Sequence, residues 1–406
     1  MQPIKGITNL GEWATYDPQR RQMILGAGGT WTIEAGRFAE YRTKSYSEPG
    51  FLDAKGRLLT PGLIDPHTHP AFARSRELEF ELRSQGKTYK EIAAAGGGIR
   101  NSVRALRSLP EDDLVELISD RFQLFLEHGT TTIECKSGYG LSPESEIKSL
   151  RALKRAGEQN ALRTHRTFLG AHEIPDEYRE DREAYIRLLI DEMLPQVATE
   201  TLAEYCDAFC EKGVYTPEET RRIFTAAKAQ GLKLRLHADE FVSTGGAELA
   251  AEMGALSADH LMAISPEGIQ ALAESETVAT LLPGTTFFLG QTTWAPAREL
   301  LDQGVTIALA TDFNPGSSMT VSLPFIMSLA VIYLKMSPLE ALQACTWGSA
   351  AALGITRERG AIEEGYLADA VLWDCANHRE LPYFYAVNQA RTVIVAGQIT
   401  RGRRDS

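Results

Sequence analysis

Between residues 59 and 311, short apolar or β-branched runs alternate with amphipathic stretches. The runs are LTPGLID (59–65), TTTIECKS (130–137), LRTHRTFLG (162–170), YCDAFC (205–210), LKLRLHA (232–238), ALSADH (255–260), TVATLLP (277–283) and VTIALAT (305–311). Each has the length of a buried strand. Most of the gaps carry helical spacing with start and stop signals. EDDLVELISDRFQLFLEHG ends on a glycine. SPESEIKSLRALKRAGEQ opens with Ser142 as N-cap, Pro143 at the first helical position, and Glu144 and Glu146 in the first turn. It lacks a full capping box, because Ser145 stands three past the cap. TPEETRRIFTAAKAQG has Thr216 as cap, acids early, and bases and Gly231 late. Eight strands alternating with helices predict an α/β chain closed into a (β/α)8 TIM-like barrel over residues 59–361. A doubly wound open sheet is the alternative, since alternation alone does not show closure.

The two ends read differently. Residues 1–58 hold short extended pieces such as MILGAGGTWTIEAGRFAEY, broken by glycines, and no helical period lasts there. Residues 362–406 repeat that texture in YLADAVLWD and RTVIVAGQITRG. Two strand-rich ends around a different middle predict one small discontinuous β-sandwich-like domain. The segment between the first two barrel strands (66–129) is longer than one crossover helix. Within it KTYKEIAAAGGGIR runs a helical stretch into Gly96–Gly98, read either as a lid over the strand ends or as a helix stop with a flexible turn. No GxxxxGK[ST] sequence accompanies the glycines, so phosphate binding is not expected.

Composition narrows the partners. A chain of 406 residues with 42 Lys+Arg against 54 Asp+Glu carries a net charge of −12. That argues against nucleic acid or an anionic membrane surface held by general electrostatics. A small anionic substrate needs a local cation. MQPIKGITNLGEW has no basic start followed by an apolar core, so no signal peptide is expected. The most apolar window, Leu323 to Leu334, is short of a membrane span and contains a proline. Five cysteines without a framework spacing fit a reducing compartment, and the cytoplasm is the expected location. Cys206 and Cys210 share a face of their strand and read as buried free thiols.

In a parallel barrel the carboxyl ends of the strands share the face where active sites are built. The first run is followed by His67-Thr68-His69, whose imidazoles point the same way in an extended segment and make half of a metal site. The fifth ends in His237-Ala238-Asp239-Glu240, the sixth in Asp259-His260, and the eighth in Thr311-Asp312-Phe313-Asn314. The second is followed by Ser137-Gly138-Tyr139 and the third by Gly170-Ala171-His172. Five of eight histidines therefore sit at strand ends, while His128, His165 and His378 read as structural. Three imidazoles and a carboxylate, namely His67, His69, His237 and Asp312, suit one borderline divalent metal with room for water and substrate. Such a metal serves amide hydrolysis near neutrality. Asp312, Glu240 and His260 are the candidates for proton transfer. Asp239 reads as a brace, Arg76 as either a surface residue or an anion anchor, and Asn314-Pro315-Gly316-Ser317 first as a turn.

These motifs carry a resemblance. PGLIDPHTHP, HADE, SADH and TDFNPGS resemble the amidohydrolase superfamily. More narrowly, ELEFELRSQGKTYKEIAAAGGGI, KSGYGLS, TFLGAHEIP, HADEF, LSADHL, VATLLPGTTFFL and ALATDFNPGSS resemble the imidazolonepropionase family of histidine degradation, over residues 58 to 370. The resemblance implies a metal-dependent barrel, with zinc or iron, that opens the ring of 4-imidazolone-5-propanoate with water to give N-formimidoyl-L-glutamate. It implies His67, His69, His237 and Asp312 as ligands, and His260 as a catalytic histidine rather than a ligand. Arg76, Tyr139 and His172 would bind substrate, Glu240 would contact the ring, and Asn314, Gly316 and Ser317 would line the product side. Binuclear relatives carry a carboxylated lysine at the fourth strand's end; Lys212 lies just beyond it, and one metal is expected. The chain departs from the family at Trp347-Gly348-Ser349, where an asparagine is usual, and at Cys135, where an aliphatic residue is usual.

A substrate carboxylate needs an arginine, which fits Arg76. The rival readings are an aminohydrolase releasing ammonia from a nucleobase with the same metal set, and a non-catalytic relative. Arg76 and Tyr139 argue against the first, and a complete ligand set against the second. The expected partner is a small molecule with a carboxylate, and the expected assembly is a homodimer.

Overall fold

The computed structural model describes residues 2–87, 91 and 97–402. Its centre is an eight-stranded parallel sheet whose strands follow one another in chain order. The barrel strands are β1 Leu63–Asp65, β2 Thr130–Lys136, β3 Arg163–Ala171, β4 Tyr205–Cys210, β5 Lys233–Ala238, β6 Ser257–His260, β7 Val278–Leu281 and β8 Ile307–Leu309. All eight fall inside the runs that periodicity marks, allowing for β3, which extends one residue further. Helices connect them and supply the outer layer. Helix α1 (Pro143–Gln159) starts at Ser142, whose side chain accepts from Ser145 N. Helix α2 (Pro217–Ala229) starts at Thr216, where a complete capping box with Glu219 satisfies two amides that would otherwise lack partners.

The sheet closes at one seam. β8 and β1 are joined just beyond their ends: Thr311 donates from its amide (3.1 Å) and hydroxyl (2.6 Å) to the Asp65 carboxylate. Asp312 N donates to His67 O (3.1 Å) and His69 N to Phe313 O (2.9 Å). The seam therefore lays the His67–His69 segment directly against Asp312.

The run LTPGLID is not one strand. It divides at Gly62, and Leu59–Pro61 pairs antiparallel with Ala370–Trp373, outside the barrel. The junction is tightly packed: a Cβ at Gly62 would lie 2.1 Å from Thr131 Oγ1. Leu59–Pro61 is one strand of a seven-stranded sheet built from both chain ends, in which Gln2–Pro3 pairs with Gln398–Gly402. A four-stranded sheet (Gly6–Thr8, Thr30–Glu34, Arg37–Arg42, Phe51–Asp53) completes this unit. Side chains from both sheets, among them Ile7, Trp13, Trp31, Phe38, Leu59, Leu372 and Ile394, bury a common core. Trp347 stacks on Tyr16 at 4.3 Å and so ties the barrel to this unit.

The segment expected as a lid falls largely outside the described residues, Gly96 included. Gly98 is described, and its amide donates to Glu79 Oε1 at 3.0 Å. Among the described residues no helix is long and apolar enough to cross a membrane. All five cysteines are buried and free.

Candidate metal centre

The strand ends bring together the side chains singled out in the sequence. His67, His69 and His237 each present a ring nitrogen within 4.8 Å of the others, and so do His67, His260 and Asp312 with one atom each. His67 Nε2 lies 3.2 Å from His69 Nε2, and the two lie 3.5 Å and 3.4 Å from the same oxygen, Asp312 Oδ1. All of these groups are buried.

Their tautomers follow from their partners. His67 Nδ1 lies 2.6 Å from Asp259 Oδ2, and a carboxylate accepts, so Nδ1 carries the proton and Nε2 turns its lone pair inward. Asp312 Oδ2 accepts from the Thr285 hydroxyl at 2.5 Å, which leaves Oδ1 toward the imidazoles. His237 Nδ1 sits 3.0 Å from Asp207 Oδ2, off the line of a hydrogen bond. Burial first, and then the charges of Lys136 and the neighbouring imidazoles, hold His67 and His69 well below the usual imidazole range. Neutral imidazoles are the form that binds a cation. His67 Nε2, His69 Nε2 and Asp312 Oδ1 converge into a donor set that a single cation would satisfy more fully than the one hydrogen bond between the two imidazoles.

His69, His237, His260 and Asp312 open onto one cavity of about 770 Å³. Arg76, Tyr139, His172, Glu240, Asn314, Gly316 and Ser317 all line it. His172 donates from Nδ1 to Gly138 O (2.8 Å) and stacks on His69 at 5.3 Å, which leaves its Nε2 to accept. Burial, then the charges of His69 and His237, lower its pKa to about 3. Burial also lowers His260 to about 3, and its Nε2 lies 3.8 Å from Glu240 Oε2. Burial, then the Asp312 charge, pushes the Glu240 carboxyl well above the carboxylate range. Tyr139 is held above the usual phenol range by burial.

Arg76 donates from Nη2 to Glu79 Oε2 at 2.6 Å, while its buried Nε has no partner. Its guanidinium passes so close to Gly316 that a Cβ there would lie 2.5 Å from Nη1. The Asn314 amide is spent inside its turn: Oδ1 accepts from Gly316 N and Ser317 N, both at 2.8 Å, and Nδ2 donates to Asp312 O at 2.7 Å. Asn314 thus acts by holding the loop that follows Asp312.

Other assignments from the sequence also find partners. Asp239 accepts from Thr244 N, Gly246 N and Ala247 N, bracing the turn after β5. Asp239, His260 and Asp312 hold left-handed φ of 50°, 81° and 52°. That conformation costs a non-glycine residue about 1–2 kcal/mol and aims a side chain where a straight strand would not. Lys212 is exposed at the cavity's edge; the inward residue of β4 is Asp207, fully buried. His128, His165 and His378 bond Leu124 O, Glu204 and Glu12.

Sequence reading assigned nothing to Glu134, Lys136, Asp207 or Arg235, all fully buried, and gave Asp259 no role. A signal was present: each is a charged residue inside an apolar strand, and Glu134 with Lys136, or Arg235 with His237, share a face by alternation.

The comparisons with known proteins agree with this geometry. The sequence model of the Amidohydrolase family matches residues 58–400. The chain belongs to the amidohydrolase family. It is 50% identical over 379 residues to the imidazolonepropionase of Geobacillus thermodenitrificans, covering 93% of this chain and 88% of that one. It is 48% identical to that of Shouchella clausii, covering 88% and 80%. Among solved structures, the 5-methylcytosine deaminase of Klebsiella pneumoniae superposes with a TM-score of 0.78 at 18% identity, covering 99% of this chain and 98% of that one. The guanine deaminase of C. acetobutylicum gives 0.72 at 15%, covering 97% and 99%. At such identities these two show the shared fold alone.

Proposed function

We propose that this chain is an imidazolonepropionase, opening the ring of 4-imidazolone-5-propanoate with water to give N-formimidoyl-L-glutamate in histidine degradation. The observation that carries the reading is the placement of Arg76 and Tyr139 in the same cavity as the histidine–aspartate cluster, in a chain half identical to imidazolonepropionases over most of its length.

His67, His69, His237 and Asp312 would hold one divalent cation, zinc or iron. Bound there, it acidifies water and polarises a carbonyl oxygen. Arg76 takes the propionate carboxylate, since it lines the cavity and its buried Nε faces no protein acceptor. Tyr139 and His172 flank the ring, the phenol staying protonated so that it donates. Glu79 holds the guanidinium from behind, and Asn314, Gly316 and Ser317 form the product-side wall. Asp312 accepts the proton of the attacking water. Its oxygen adds to the ring carbonyl carbon, the ring C–N bond breaks, and the carbon leaves as a carboxylate. The departing nitrogen takes a proton from the Glu240–His260 pair, whose carboxyl is made harder to ionise by burial.

The same reading divides the chain into a barrel of residues 59–361 and a small β domain of residues 1–58 and 362–406, supported by the pairing of the two ends in one sheet. The cytoplasm as location is supported by five unpaired buried thiols. A homodimer is supported by exposed Ile332, Tyr333, Tyr383, Phe384, Tyr385 and Val387 around the packed helices Leu323–Tyr333 and Glu380–Tyr383. The deciding assay follows imidazolone absorbance beside ammonia release from nucleobases. Loss of the first without the second is expected; ammonia release alone would make the chain an aminohydrolase.

A further inference from the structure

Below the ligand histidines, away from the cavity wall, β2 carries a fully buried ammonium. Lys136 Nζ donates to Glu134 Oε1 and to Asp207 Oδ2, both at 2.8 Å. Glu134 lies two residues earlier on β2, so both side chains point into the barrel. Asp207 comes from β4. Neither carboxylate ends its contacts there. Glu134 Oε2 accepts from the backbone N–H of Thr68 at 3.1 Å, and Glu134 O accepts from the Thr68 hydroxyl at 2.6 Å. Thr68 is the residue between His67 and His69. Asp207 Oδ1 accepts from the backbone N–H of His237 at 3.2 Å, while its Oδ2 lies 3.0 Å from the ring Nδ1. One ammonium thus stands between the segment bearing two proposed ligands and the strand bearing a third.

We propose that Lys136 is a positioning residue that fixes the spacing between the His67–His69 segment and His237, and through it the affinity and ligand field of the bound cation. The proposal rests on the metal reading above. Without the ammonium, two buried carboxylates would face each other with neither hydrogen-bonded to a cation and only the Arg235 charge nearby, and either would move or draw in water. Each movement is passed on directly, since Glu134 grips the Thr68 amide and Asp207 the His237 amide. Arg235 offers a contrast. It donates to Asp259 Oδ2 (3.2 Å), Pro66 O (2.7 Å) and Ala352 O (2.6 Å), and Asp259 accepts from His67 Nδ1. That brace reaches one ligand-bearing segment from its base; Lys136 joins two. Lys136 does not line the cavity and touches no place a substrate can reach.

The test uses the full chain, stripped of metal and given Co2+. Its visible absorption bands report the ligand field, and competition with a chelator reports affinity. Lys136→Met keeps the length and removes charge and donors; Lys136→Gln keeps two N–H donors. The Met variant is expected to bind Co2+ roughly 10–100-fold more weakly, the usual cost of losing a group that orients a ligand, with displaced bands. The Gln variant is expected to fall between it and the unmodified chain. A lower melting temperature with unchanged affinity and bands would mark Lys136 as core structure only and overturn the proposal. If Lys136→Met does not fold, Glu134→Gln/Lys136→Met/Asp207→Asn removes cation and carboxylates together. Weakened Co2+ binding there supports the proposal, and unmodified binding overturns it. No Co2+ uptake by the unmodified chain would overturn the metal reading and this role together. Equal uptake by all forms would overturn this role alone.

Discussion

Gly316 leaves room for the Arg76 guanidinium. A methyl group there would meet the guanidinium at 2.5 Å, and Arg83 Nη2 also reaches Gly316 O at 3.2 Å. Gly316→Ala is therefore expected to displace Arg76 and raise KM roughly tenfold or more, since a charged hydrogen bond contributes about 1.5–3 kcal/mol. Metal content should stay at the unmodified level; a coupled loss of metal would place the loop, not the anchor, at the centre of the effect. Arg76→Ala tests the anchor itself. It is expected to raise KM strongly while retaining metal, whereas His67→Ala should lose the metal. Elemental analysis beside initial rates separates the two, and equal metal loss in both variants would remove the role given to Arg76.

At the scale of elements, the strands were legible from periodicity because a barrel strand is apolar along its length and stops at polar residues. The proposed ligands were legible for the same reason: His67, His69, His237 and Asp312 sit where apolar runs end. What periodicity missed was written inside the strands. An apolar run such as TTTIECKS hides Glu134 and Lys136, and their pairing with Asp207 and Thr68 depends on neighbours far along the chain. Nor does the pattern show that LTPGLID serves two sheets. The junction between them is tight, and it sets a test. Gly62→Ala places a methyl group 2.1 Å from Thr131 Oγ1, between Leu59–Pro61 and β1. Overpacking of this kind costs about 1–3 kcal/mol. A lower melting temperature is expected by thermal denaturation; an unaltered one would mean that the junction is loose.

Over the whole molecule, the proposed cation ties β1, β5 and β8, the first and last of which meet only at the closing seam. A ligand that binds the folded chain alone stabilises it by mass action, by about 2.7 kcal/mol at one hundred times its Kd. Chelation is expected to lower the melting temperature, and added Zn2+ to restore it. A melting curve indifferent to chelator would contradict a cation at the seam. Electrostatics fit the same picture. In a chain of net charge −12, Arg76, Arg83, Lys87 and Lys212 line the cavity beside Glu79, Glu173, Glu211, Glu240 and Asp312, so a small anion there would depend on a local cation and not on the general field.

The most direct test is turnover of 4-imidazolone-5-propanoate by the purified chain, with bound metal measured on the same sample. Loss of imidazolone absorbance in proportion to metal, with N-formimidoyl-L-glutamate as product and no ammonia released, is the expected result. A metal-loaded chain that leaves this substrate intact, or turns it over equally well with the metal removed, would contradict the account.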